Sequence, residues 1–207
     1  MMELSGIAVF MAALTAVYLL PGPDMALVMS ASVLRGPSNG LMVALGLAFS
    51  RALHVALSAL GLAALFNTHP MLFDGVRWIG AAYLLLLAGK MLVSNGTEAA
   101  KAAPEARSGL TALKRGFVTN LLNPKALMFC ALLLPQFVST QHDLIGQYLA
   151  LGSVLVGLGL LFDVVFAFAA SAFARRLSGA RRVQSAAKLL FSSVFGVAAF
   201  RLAFGGS

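Results

Sequence analysis

The amino-acid sequence predicts an all-α, polytopic membrane protein: six transmembrane helices forming two inverted three-helix repeats, with helices 1 and 4 broken. Three observations predict it. Of the 207 residues, 60% are hydrophobic and only 11% are charged, with a mean hydropathy of +0.91. A soluble surface needs about 25% charged residues, so this chain must use lipid as its solvent. Each span needs about 20 apolar residues, which leaves room for about six once loops are subtracted. Finally, two apolar runs are interrupted by proline at corresponding places in the two halves.

The apolar runs predict helices at 5–34, 40–66, 70–93, 114–138, 144–174 and 184–204. The first has no Lys or Arg ahead of it, which is expected of a retained helix and not of a cleaved signal. Asn67-Thr68-His69-Pro70 is a turn-rich break after the second. The polar segment Ser94–Leu113 is expected to be a surface loop, dividing one membrane domain into residues 1–93, the loop 94–113, and residues 114–207. Ser139–Asp143 separates the fourth and fifth helices.

Charge sets the orientation. Of the 15 basic residues, 11 fall in alternate loops: Arg35; Lys90, Lys101, Arg107, Lys114 and Arg115; Arg175, Arg176, Arg181, Arg182 and Lys188. Basic residues collect in cytoplasmic loops, so both termini are expected to be extracytoplasmic. The same bias accounts for the net charge of +8 without nucleic acid as a partner. The single cysteine, Cys130, excludes an internal disulfide, a CxxC redox pair and a thiolate metal cluster. No serine-histidine-aspartate order, metal-ligand spacing or phosphate loop appears, so neither an enzyme, a metal site nor a cofactor is expected.

The breaks are Pro21-Gly22-Pro23-Asp24 in helix 1 and Asn123-Pro124-Lys125 in helix 4. Proline lacks the backbone donor and clashes with the carbonyl one turn back. Asp24 and Asn123 are expected to cap the half-helices that follow. Three helices per half is an odd number, so the halves insert with opposite orientation. Paired breaks in inverted halves mark a substrate site in membrane transporters.

Depth adds weight. Asp24 lies 11 residues from Arg35, roughly 16 Å along a helix. Lys125 lies 10 from Arg115, roughly 15 Å. Arg51 is 12 beyond Asn39 and Asp163 is 12 before Arg175, each roughly 18 Å. All four belong near the middle of a core about 30 Å thick. Buried charges there must pair, as Asp24 with Lys125 and Asp163 with Arg51 would. His54 stands one turn from Arg51 on the same face. Arg51, His54 and Asp163 are thus candidates for a coupling network or an intramembrane ion pair. Trp78, Tyr83, Tyr18 and Tyr148 read as interface anchors or packing.

With these residues in view, the chain resembles the LysE/RhtB family of bacterial amino-acid exporters. The likeness rests on Pro21-Gly22-Pro23-Asp24, on Gly46 with His54, and on Gly80-Ala81-Ala82-Tyr83-Leu84. It continues through Gly116-Phe117, Asn120-Leu121-Leu122-Asn123-Pro124-Lys125-Ala126 and Leu134-Pro135-Gln136-Phe137. The resemblance implies a secondary exporter in the bacterial inner membrane, moving amino acids or related small metabolites against protons. Arg51 departs from the family pattern, where small or acidic residues are commoner, and disfavours a cationic substrate. Exporters of cadmium and thiol-relay proteins in the wider superfamily are disfavoured by the single cysteine.

The expected site is then Pro21, Gly22, Pro23, Asp24, Asn123, Pro124 and Lys125. Lys125 and the half-helix N-termini would meet a substrate carboxylate, and Asp24 its ammonium. The expected partners are an amino acid or related small molecule, protons and the lipid bilayer; a homo-oligomer is compatible with the sequence. The competing reading is a non-transporting scaffold or assembly protein whose intramembrane charges are purely structural.

Overall fold

The structure is a computed structural model that describes residues 4–61, 68–93, 109–139, 143–176 and 181–204. Among them every regular element is helical, so the all-α expectation holds. In order they are α1 (Leu4–Leu19), α2 (Pro23–Arg35), α3 (Pro37–Ala59), α4 (Pro70–Val93), α5 (Gly109–Leu121), α6 (Pro124–Met128), α7 (Leu144–Arg176) and α8 (Arg181–Phe204). The chain continues from α6 as a π-helical turn, Phe129–Leu133, and a 3-10 turn, Leu134–Phe137.

Both predicted breaks are present and bend the chain alike. The axis turns by 56° between Gly6–Leu19 and Pro23–Arg35, and by 56° between Gly109–Leu121 and Pro124–Phe137. In each case proline occupies the first helical position after the break, where a missing N–H costs nothing. By length and composition, α3 and α7 can each cross a membrane, as can each bent pair taken as one span.

The segment Ser94–Leu113 is not loop throughout: helix α5 begins at Gly109, ahead of the predicted start at 114. Its first turn packs on α3, where a Cβ on Gly109 would meet the Met42 side chain, and that contact supports helix that composition alone does not. Residues 94–108 lie outside the described residues, as does Asn67 of the predicted turn. At Ser139–Asp143, Asp143 caps α7 by accepting from the N–H groups of Ile145 and Gly146, both at 3.1 Å. Gln147 then exchanges two hydrogen bonds of 2.9 Å with the Ser139 backbone.

The π turn has a traceable cause. Leu134 N–H bonds to the Phe129 carbonyl, five residues back. The next donor, Pro135, has no N–H. The Cys130 carbonyl therefore loses both helical partners, and the Ser58 hydroxyl of α3 donates to it instead.

Packing sets the register between halves. A Cβ on Gly46 of α3 would meet Leu113 O at 2.0 Å, and one on Gly116 of α5 would meet Val43 O at 2.2 Å. Only glycine lets the two backbones approach this closely. Sequence position along α3 then reads as layers. Val43 and Leu47 join an apolar cluster with Leu27, Val28 and Phe195. Val55 joins a second with Phe10, Phe129, Leu134 and Leu155. Arg51 and His54 fall between them. On α7 likewise, Asp163 lies between Leu155 of one cluster and Ala167 of the other.

The distribution is inverted relative to a soluble protein. Arg51, His54, Asn120 and Asp163 are at most 3% exposed, whereas Phe49, Leu161 and Phe200 are more than half exposed. An apolar exterior around a polar centre is the build of a membrane-embedded bundle.

Candidate functional site

The two breaks converge on one cavity. It encloses about 550 Å³, its open mouth included, and its lining includes Tyr18, Leu20, Asp24, Met25, Arg51, Asn120, Lys125, Ala126, Phe162 and Asp163. Four charged side chains of the predicted set, two of each sign, meet there, brought from α2, α3, α6 and α7.

Arg51 and Asp163 form the expected pair. Arg51 Nη1 donates to Asp163 Oδ2 at 2.6 Å, and both side chains are 4% exposed. The guanidinium also lies 3.8 Å from Asp24 Oδ2 and stacks 5.1 Å above the Tyr18 ring centroid. A cation over an aromatic face gains electrostatic attraction from the ring quadrupole. Tyr18 is fixed in turn, its hydroxyl donating to Leu155 O at 2.8 Å. Gly159 makes the space, since a Cβ there would come within 2.8 Å of both Arg51 Nη1 and Tyr18 Oη.

The pairing of Asp24 with Lys125 is corrected. Asp24 is held instead by neutral amides: Asn120 Nδ2 donates to Oδ2 at 2.6 Å and Asn123 Nδ2 to Oδ1 at 2.9 Å. Lys125 Nζ donates to Val17 O at 2.9 Å and Leu20 O at 3.1 Å. Those carbonyls end α1, where the helix dipole is negative and a cation is favoured. The ammonium of one break thus caps the half-helix preceding the other, and the guanidinium of Arg51 takes its place beside Asp24.

The capping expectation is half right. Asn123 caps α6, its side-chain oxygen accepting from Lys125 N at 3.1 Å. Asp24 does not cap α2; the N-cap is Gly22, in extended backbone, and no side chain bonds there. With Pro23 at the first position, Asp24 sits at the second and its carboxylate turns to α5. Gly22 packs against Lys125, whose Nζ would lie 3.4 Å from a Cβ at that position. Pro21 is exposed at the break itself, and Pro23 is buried.

His54 belongs to the layer behind the cavity. It is fully buried, and neither ring nitrogen has a hydrogen-bond partner among the described residues. Three residues of the centre were missed in the sequence. Tyr18 read as packing because an aromatic in an apolar span carries no sign of a cation 33 residues later. Asn120 had a signal: it stands three residues before Asn123, at the end of the helix that leads into the break. Gly159 had none.

A bundle with two broken helices meeting at a buried, charge-balanced cavity defines a membrane transport protein. Comparison with known proteins agrees. A family model described as LysE type translocator matches residues 15–206. The chain is 32% identical over 193 residues to the leucine efflux protein of Enterobacter sp. (strain 638), covering 90% of each. It is 29% identical over 181 residues to the homoserine/homoserine lactone efflux protein of Salmonella typhimurium, covering 87% of each. The leucine efflux protein of Klebsiella pneumoniae is 36% identical over 125 residues, 59% of this chain and 58% of that one. No solved structure matches the chain. The chain belongs to the LysE type translocator family, which comprises amino-acid efflux transporters and not enzymes.

Proposed function

We propose that the protein is a proton-driven secondary exporter of neutral amino acids in the bacterial inner membrane. The observation that carries this reading is the convergence of both helix breaks on one cavity with two acids and two bases. Such a centre is formally neutral with its signs separated, which suits a zwitterion and repels a substrate of net charge. Leucine and homoserine, named for the relatives, share an α-ammonium and an α-carboxylate. The substrate ammonium meets Asp24, which still has free lone pairs after two amide bonds. Its carboxylate meets Lys125, which has one N–H beyond the two given to α1, with the positive end of the helix starting at Pro124 behind it. Pro21, Gly22, Pro23, Asn123 and Pro124 hold the breaks open.

The equal bends support a pseudo-symmetric arrangement of residues 1–93 and 114–207, as six spans in two inverted repeats. Rocking one half against the other would expose the cavity to each side in turn. Both ends are then extracytoplasmic.

Purified protein in liposomes, assayed with an amino-acid panel under an imposed pH gradient, tests the reading. Leucine-like zwitterions are expected to move, and Asp24→Asn to abolish flux while the protein stays folded. Full flux through Asp24→Asn, or none through the native chain with any amino acid, overturns it.

A further inference from the structure

We infer that His54 is the proton-carrying group of the transport cycle, exchanging protons through a polar, water-holding seam between α3 and α5 that lies behind the substrate cavity. The inference rests on the exporter reading above and deepens it by separating the proton's site from the substrate's.

The first support is an inventory of the ionisable groups at the centre. Asp163 of α7 is clamped by Arg51 at 2.6 Å. Asp24 of α2 takes two amide donors and lies 3.8 Å from the same guanidinium, so its carboxylate is already engaged. Lys125 of α6 is engaged by the Val17 and Leu20 carbonyls that end α1. Arginine does not deprotonate in proteins. Of these groups, His54 alone has no ion-pair or hydrogen-bond partner among the described residues on either ring nitrogen, and imidazole is the side chain that titrates in the physiological range.

The second support is where it stands. Gly46 meets Leu113 and Phe117, so the next turns of α3 face residues 117 to 121 of α5. Ser50 and His54 follow Gly46 at four-residue intervals along the buried side of α3, and Thr119 and Asn120 are buried near the end of α5, the helix that Gly46 packs against. Ser50 Oγ, Thr119 Oγ1 and Asn120 Oδ1 are also buried with no partner among the described residues. Unpaired buried polar groups are rare, and a cluster of them along one seam supplies the several partners an internal water needs. Hydroxyls and water are the components of a proton path. Asn120 joins this seam to the cavity, because its other end donates to Asp24.

The arrangement gives a reason for exchange. Asp24 of α2 is tied to the α5 side of this seam through Asn120, and Arg51 stands one turn from His54 on α3 itself. A proton added to the ring places a cation behind Asp24 that competes with a substrate ammonium in front of it. In low dielectric one carboxylate does not hold both equally well. The proton arrives from water on one side and leaves to water on the other, forming no bond to substrate.

The test uses full-length protein in liposomes, leucine as the probe and an internal pH dye. For a one-for-one exchange, a gradient of one pH unit drives an accumulation of about tenfold. His54→Gln is expected to keep leucine-for-leucine exchange, but to lose the dye signal and bring the accumulation ratio to one. Uphill accumulation surviving in His54→Gln overturns the inference alone. Native protein that exchanges leucine without responding to pH overturns proton coupling and His54 together. Native protein that moves no amino acid overturns the exporter reading itself. If His54→Gln misfolds, nitrogen-15 NMR of the native chain in a His69→Gln, His142→Gln background decides. The remaining imidazole is expected to change protonation as pH is varied, with a midpoint that moves in Asp24→Asn; an imidazole that stays neutral throughout overturns the assignment.

Discussion

Replacing Asp163 by asparagine strands Arg51. The guanidinium and carboxylate are 4% exposed on each side and 2.6 Å apart, so water replaces neither when the other is lost. The nearest remaining acid is Asp24 at 3.8 Å, whose oxygens already accept from Asn120 and Asn123. Breaking a buried ion pair on one side costs about 3–5 kcal/mol, because the surviving charge stays desolvated. At about 2–4 °C per kcal/mol for a chain near this size, Asp163→Asn or Arg51→Met is expected to lower the melting temperature by roughly 6–20 °C. Removing both charges leaves no stranded ion, so Arg51→Met with Asp163→Asn is expected to be more stable than either single variant. Fluorescence-detected thermal unfolding in detergent gives all four corners of the cycle. Single shifts below about 2 °C, or strict additivity in the double variant, would refute the claim that this pair shares one desolvated environment.

Three further outcomes follow from contacts at the breaks and seams. Gly46→Leu is expected to fail in expression or to melt well below the native protein, since even a Cβ would lie 2.0 Å from the Leu113 carbonyl; size-exclusion of the detergent extract reads it, and a monodisperse, native-stable variant refutes the close α3–α5 contact. Ser58→Ala leaves the Cys130 carbonyl without a donor and is expected to cost about 1–3 kcal/mol. Adding Pro135→Ala, which restores an N–H, should recover much of that loss in thermal melts; no recovery breaks the link between proline and π turn. Gly159→Ala forces a methyl against Arg51 and Tyr18, both pinned by hydrogen bonds, at a cost of about 1–3 kcal/mol. Leucine flux in liposomes should fall with expression retained, whereas unaltered flux would remove Tyr18 and Arg51 from the site.

Much of this protein was legible before any tertiary contact. Proline lacks the N–H that a helix interior needs, so its place within two apolar runs, at residues 21–24 and 123–125, announced both breaks. Asn123 bonds the backbone two residues on, so its cap was local as well. The pairing of Arg51 with Asp163 followed from depth, because two opposite charges near the centre of an apolar bundle have few other ways to be satisfied.

The choice of partners for Asp24 and Lys125 was a different matter. Depth placed both near the same level but said nothing about which faces would meet. Asp24 reaches amides 96 and 99 residues away, and Lys125 reaches carbonyls 108 and 105 residues back. Those meetings depend on how closely α3 and α5 approach, which glycines at 46 and 116 set through the absence of a side chain. Tyr18 and Gly159 entered the site by the same route. Backbone breaks and apolar length are properties of neighbouring residues and can be read along the chain. Which buried charge meets which donor depends on helix rotation and register, and these are fixed by packing the whole bundle at once.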